Sequence, residues 1–151
     1  MAGWAELEAA APAIAKHGRD LLYRTGKGSA LLTTVRGDAL PRLHPITLAV
    51  ADDRLVAFII VDSPKARDLA EDGRYALHSH LDLQQPNEFS VRGHARPIDD
   101  PATRAGIAAN WSFEPDDGYR LFEFLVEHAV AGERPTPHDW PPRYSSWRAG
   151  D

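Results

Sequence analysis

The spacing of apolar residues first changes along this chain at TGKG (25–28). Upstream, Trp4, Leu7, Ala11, Ile14, Gly18 and Leu21 recur at steps of three and four, which traces one face of a helix. Downstream the period becomes two. SALLTTV (29–35), RLHPITLAV (42–50) and LVAFIIV (55–61) read as strands separated by the turns RGDALP and ADDR. Strands joined by turns this short pair antiparallel. The first half of the chain is therefore a helical segment followed by a three-strand meander.

The same reading continues beyond residue 61. A short helix is expected over 64–72, then strands at RYALHSHL (74–81) and EFSVRGHARPI (88–98). DDPATRAGIAAN (99–110) has capping residues ahead of it and reads as a helix, and YRLFEFLVEHAV (119–130) is a sixth strand. Pro12 makes residues 4–24 either a kinked helix or a pair, with Pro12 first in the second. Pro45 implies an edge position or a bulge, because it cannot donate to a ladder. Gly93 implies a bend or a close backbone approach. The tail 131–151 is too rich in proline for a regular element, RYSSW excepted. The expected fold is mainly β, of the α+β class. It is a six-stranded antiparallel barrel, closed or nearly so, with an N-terminal helix and short connecting helices. One domain spans 1–151: helix 4–24, barrel about 28–130, and a strap at 131–151.

Bulk composition narrows the function classes. A net charge of -5 does not supply the basic face that a general nucleic-acid or membrane-surface binder needs. The absence of cysteine excludes a disulfide scaffold, a thiolate nucleophile and a cysteine-based metal site. The apolar run Leu55–Val61 is too short to span a bilayer, and the N-terminus lacks the pattern of a signal peptide. A cytoplasmic location is expected.

The helix at 64–72 carries its charges backwards. Lys65 and Arg67 lie in the first turn, where the helix dipole is positive, and Asp68, Glu71 and Asp72 crowd the negative end. Each such placement costs roughly 0.3–1 kcal/mol without a partner. Ser63 or Asp62 is a good N-cap and Pro64 suits the first position, so free amides, Ser63, Lys65 and Arg67 together make a candidate phosphate site. The alternative is a solvated helix whose cations lie over apolar neighbours. Arg42, His44 and Ile46 share a parity on the second strand and can face one site. His78 and His80 likewise share a face, but no third ligand stands at a readable spacing, so no metal site is expected. TGKGS (25–29) follows a helix rather than a strand and is not a phosphate loop.

PRLHPITLAVADDRLVAFIIVDSPKARDLAEDGRYALHSH, followed by NEFSVRGHARPIDD, resembles the pyridoxamine 5'-phosphate oxidase-like family of flavin-binding split β-barrels, and within it the general stress protein branch. The resemblance covers roughly residues 27–104. It rests most specifically on R-x-H-P followed about twenty residues later by S-P-K-x-R-x-L. It implies a homodimer with flavin mononucleotide (FMN) in each of two clefts between subunits. By position, Arg42, Leu43, His44, Pro45, Ile46 and Thr47 would line the ring and ribityl chain. Phe58 would lie near the flavin, and Ser63 and Lys65 would take the phosphate with Arg67 as a supplement. Arg42 would stabilise negative charge near the pyrimidine end of the ring.

Family oxidases acting on pyridoxamine phosphate share a C-terminal Arg-x-His segment. HDWPPRYSSWR lacks it, which points away from that substrate. The activity implied is that of an FMN-dependent oxidoreductase with a small-molecule substrate. Two alternatives keep the barrel: a deazaflavin-dependent reductase with Arg67 and Arg92 near the cofactor tail, or a non-catalytic flavin or haem binder using His78 or His80.

Overall fold

Pro12 decides how the N-terminal segment folds. It has no N–H to continue a helix and its ring clashes with the preceding turn. The structure, a computed structural model describing residues 1–151, breaks at Ala11 (φ -140°, ψ 65°) into α1 (Trp4–Ala10) and α2 (Pro12–Leu22). The shared apolar face of the two helices, with Trp4, Leu7, Ile14, Ala15, Leu21 and Leu22 buried, joins the main core. No helix is long and apolar enough to cross a membrane.

The strands are β1 (Ser29–Thr34), β2 (Arg42–Thr47), β3 (Ala49–Ala51), β4 (Arg54–Ile60), β5 (Arg74–His78), β6 (Glu88–Pro97), β7 (Tyr119–Glu133) and β8 (Arg143–Arg148). Helix α3 (Pro64–Glu71) follows β4, and α4 (Pro101–Ala108) follows β6. All neighbours pair antiparallel in the order β2-β1-β5-β6-β7-β4-β3, with β8 added to β7. β2 and β3 stand at opposite ends of that path, yet only Leu48 separates them. The run 42–51 therefore leaves β1 and joins β4 at Leu48, and the sheet curls back on itself into a split barrel. Leu48, fully buried, donates its N–H to the Gly28 carbonyl (3.1 Å) at this crossing.

The interior holds Leu32, Leu55, Leu77, Phe89, Phe122 and Phe124, each at most 2% exposed. β4 is apolar on both faces because α4 covers its outer one: Val56 and Phe58 pack there with Ile107 and Leu121. Pro45 pairs with Leu31 on β1 at the end of the sheet path, as an edge proline must. Gly93 sits at a register shift in β6, where a Cβ would lie 2.0 Å from the Leu125 carbonyl oxygen, so the close approach is real.

One expectation needs correction. The strands number eight rather than six, since 42–50 splits at Leu48 and the tail contributes β8. Within the tail, RYSSW, the stretch set apart from the irregular remainder, is the strand β8. β7 runs on to Glu133, the proline-rich loop is confined to 134–142, and Arg143–Arg148 pairs with Glu133–His128. Almost every β8 side chain is exposed, so no period-two alternation betrayed it.

Gly18 tests how α2 seats on the barrel, because a Cβ there would lie 2.4 Å from the Phe89 ring, which itself packs edge-on against Trp4. Gly18→Ala gains up to about 1 kcal/mol of helix propensity. Overpacking of this severity costs about 1–3 kcal/mol. Net destabilisation in a urea titration is expected, and an equally stable or more stable variant would place α2 elsewhere.

Candidate functional site

The reversed charges of α3 separate into two kinds. At the C-terminal end every acid has a partner from another element. Asp68 is buried (2% exposed). It accepts from Thr34 Oγ1 (2.8 Å) and Arg42 Nε (3.1 Å), with Arg36 Nε at 3.8 Å. Glu71 pairs with Arg36 (3.3 Å). Asp72 accepts from Arg74 (2.6 and 2.7 Å) and from the Gly37 N–H (2.8 Å). The Arg74 hydrogen bonds, with the Gly37 amide second, hold the Asp72 carboxyl far below the usual carboxylate range. These acids oppose the helix dipole and are compensated by arginines on β2, on β5 and in the β1–β2 turn.

The N-terminal end is different. Ser63 is the cap: its Oγ accepts from the Ala66 N–H (3.2 Å) and donates to the Ile60 carbonyl (2.7 Å). Pro64 has no N–H, and the Arg67 N–H is taken by the Ser63 carbonyl (3.3 Å). The donors left over are the amide and the ammonium of Lys65, which bond to nothing. Arg67 is exposed and its guanidinium turns to the Asp62 carbonyl (3.4 Å).

Lys65 stands at a cleft of about 180 Å³ shared with Pro45, Ile46, Thr47 and Phe58, all expected site residues, and with Ile59, Ile60, Phe113 and Tyr119. The other expected residues lie outside it. Opposite partners on β1 show that Arg42, His44 and Ile46 face inward with Thr34, Leu32 and Ala30, while Leu43, Pro45 and Thr47 face outward. Arg42 is committed to Asp68 and Leu43 projects into solvent, 67% exposed. His44 lies behind Lys65 with its Nε2 shielded and without a hydrogen-bond partner. Burial first, then the charges of Lys65 and Arg42, push its imidazole below the ordinary histidine range, with Asp68 pulling the other way.

Phe113 and Tyr119 escaped sequence reasoning. Phe113 belongs to WSFEPDDG, a loop with no period, and Tyr119 opens β7; a cluster of aromatics in and beside a non-periodic stretch was the one available signal. Phe58 meets Trp111 edge-on (4.9 Å) and Phe113 meets Tyr119 (5.0 Å). Arg104 stacks over Phe58 (5.0 Å) and donates to the Tyr119 and Asp116 carbonyls (3.0 and 2.8 Å), pinning the loop against β4.

A larger depression, about 530 Å³, lies between the N-terminus and the β3–β4 turn. Its two arginines are already matched: Arg96 holds buried Glu123 at 2.8 Å, and Arg54 pairs with Asp52. Size alone therefore does not select the site; an unmatched cation at a helix N-terminus, beside an apolar wall, does. His78 Nδ1 lies 2.6 Å from the Ser79 carbonyl, and its Nε2 is 3.9 Å from Glu88, which accepts from the Tyr144 hydroxyl (3.0 Å). No group of three histidine or carboxylate side chains converges to hold a metal ion.

No family model and no curated relative matches the sequence. Solved structures do match in shape. A haem-binding protein from Mycobacterium smegmatis superposes with a TM-score of 0.64 at 13% identity, over 87% of this chain. This chain spans only 57% of that protein's length. An FAD-binding protein from the same organism gives 0.60 at 19% identity, over 77% of this chain and 90% of its own. A provisionally named pyridoxamine 5'-phosphate oxidase from Listeria innocua gives 0.58 at 17% identity, over 82% and 95%. The chain has the fold of the pyridoxamine 5'-phosphate oxidase-like split barrels. At these identities the likeness establishes the split barrel and leaves cofactor and chemistry to the side chains.

Asp68 is the polar tie that, beside buried Ala66 and Leu69, holds α3, and so Lys65, to this split barrel. Asp68→Asn leaves Arg42 and Arg36 without their buried counter-charge. Removing one member of a fully buried pair costs about 3–5 kcal/mol, and because both arginines are 44% exposed the expected loss is nearer 1–3 kcal/mol. Denaturant titrations in a double-mutant cycle with Arg42→Gln measure it, and strict additivity of the two losses would show that the pair does not interact.

Proposed function

We propose that this split barrel binds FMN and acts as a flavin-dependent oxidoreductase on a small molecule, as a homodimer. The observation that carries the reading is the state of Lys65. It is a cation at the positive end of a helix, with ammonium and amide both unpartnered, on the rim of an apolar cleft. Helix starts of this kind favour phosphate, and the donor set fits a phosphate monoester. Ser63 would orient that first turn as its cap, and its hydroxyl, already donating to Ile60, keeps only acceptor capacity for a neighbour.

Pro45, Ile46, Thr47, Phe58, Phe113 and Tyr119 offer the wall against which a planar ring is held and water excluded. At about 180 Å³ the cleft is smaller than the roughly 300–1,000 Å³ typical of sites that enclose a ligand of this size. A second copy of the chain would supply the remaining wall, which is the reason for proposing a dimer. When bound, the flavin supplies the hydride chemistry. The protein's part is to hold the phosphate, shape the ring's surroundings and keep β2 in register through Arg42 and Asp68. Arg42 is thereby an anchor rather than a direct partner of the ring.

The likeness to a haem-binding protein supports a second reading, a haem binder in which His78 or His80 is the axial ligand. Absorption and fluorescence titrations with FMN, a deazaflavin and haem separate the cases. FMN is expected to bind with quenched fluorescence. Lys65→Ala is expected to weaken it roughly 10- to 100-fold, the loss of one charge-assisted contact of about 1.5–3 kcal/mol. Unchanged FMN affinity in Lys65→Ala would remove Lys65 from the site. Haem uptake that disappears on replacing His78 or His80, with no FMN binding, would establish the second reading instead.

A further inference from the structure

His44 is the one titratable side chain that β2 turns inward beside the Lys65 end of α3. It stands opposite Leu32 in the ladder, and its shielded Nε2 has no hydrogen-bond partner. The charged groups around it come from three places. Lys65 and Asp68 come from α3, Arg42 from β2 itself, and Arg36 from the turn after β1, sharing Asp68 with Arg42; Thr34 of β1 adds a neutral hydroxyl on that carboxylate. Arg42 has its counter-charge at 3.1 Å, and Lys65 has none. Arg36 is shared between Asp68 and Glu71, so the charges acting on His44 are Lys65 and Arg42 against Asp68, and a proton on His44 has an unfavourable field as well as burial against it. An arriving phosphate dianion would reverse the sign of that field at the lysine.

We infer that His44 takes up a proton from solvent when a phosphate group settles against Lys65, so that anion capture at the start of α3 is proton-linked. The inference rests on the reading of Lys65 as the flavin phosphate site. Burial, then Lys65 and Arg42, lower the imidazole midpoint in the free protein, and removing the Lys65 contribution raises it. By linkage, a ligand that raises the midpoint binds more tightly in acid. The gain is complete below the free midpoint and is lost as pH rises through the bound one. A rise of one pH unit corresponds to about tenfold in affinity. The phosphate monoester's own second proton, with pKa near 6, works in the opposite direction, because the dianion is the better ligand. His44→Gln retains that effect and removes the histidine's.

The test is an NMR titration of the His44 ring in the intact protein, its resonance assigned by loss in His44→Gln. It is run free, with saturating FMN, and with riboflavin, which has the ring and no phosphate. The expected result is a midpoint that rises with FMN and stays put with riboflavin, and an affinity for FMN that falls more steeply below pH 6.5 in His44→Gln than in the wild type. An unmoved midpoint with FMN bound overturns the proton linkage and leaves the Lys65 reading standing. An equal rise with riboflavin overturns it by assigning the effect to the ring. Failure of FMN to bind at any pH overturns both.

Discussion

The carboxylate of Asp68 is the interaction on which the rest of the site depends. It is buried, it lies on a helix, and it is held by a hydroxyl from β1 and a guanidinium from β2. A carboxylate in that position is tolerable only with such partners, since an isolated buried charge costs several kcal/mol. Asp68 thereby fixes the orientation of α3 against the β1–β2 hairpin. Lys65, one turn toward the N-terminus, inherits that orientation. The helix begins at the cleft and is anchored away from it.

This arrangement explains how acids came to sit at the wrong end of a short helix. Their partners are Arg36, Arg42 and Arg74, supplied by strands and a turn that precede or follow α3. Local dipole energetics of 0.3–1 kcal/mol are outweighed by pairing a buried carboxylate. The cation end has no such compensation inside the chain. Within one eight-residue helix, the tertiary structure neutralises one anomaly and leaves the other open, and the open one faces the apolar wall built by Phe58, Phe113 and Tyr119.

Much of the fold was legible because its signals are local. Alternation marked β1 and β6, the doubly buried β4 showed as the unbroken run LVAFIIV, and Pro12 marked its own break. What stayed hidden depends on contacts distant in sequence. No glycine or proline stands at Leu48 to announce that 42–51 changes partner, and Pro45 marks the edge of β2 rather than the crossing. RYSSW stood out from the proline-rich tail, but that it adds to β7 as an edge strand did not. In the site, the cap at Ser63 and the cations at 65 and 67 could be read in place. The burial of Arg42's partner twenty-six residues away, the inward turn of His44 and the aromatic loop 111–119 could not, because each depends on the register of β2 or on the docking of α4.

The crossing at Leu48 has a consequence for how the chain can vary. β2 is keyed to β1 and β3 to β4 through ladders that one uninterrupted stretch of backbone must satisfy together. A slip of one residue in either ladder would turn its inward side chains outward. It would also drag the other ladder out of step, because no slack lies between them. The two ends of the barrel are thus geared. The segment from Arg42 to Ala51 is therefore fixed in length, and Pro45, Ile46 and Thr47 at the cleft are held in place by both sides of the barrel at once.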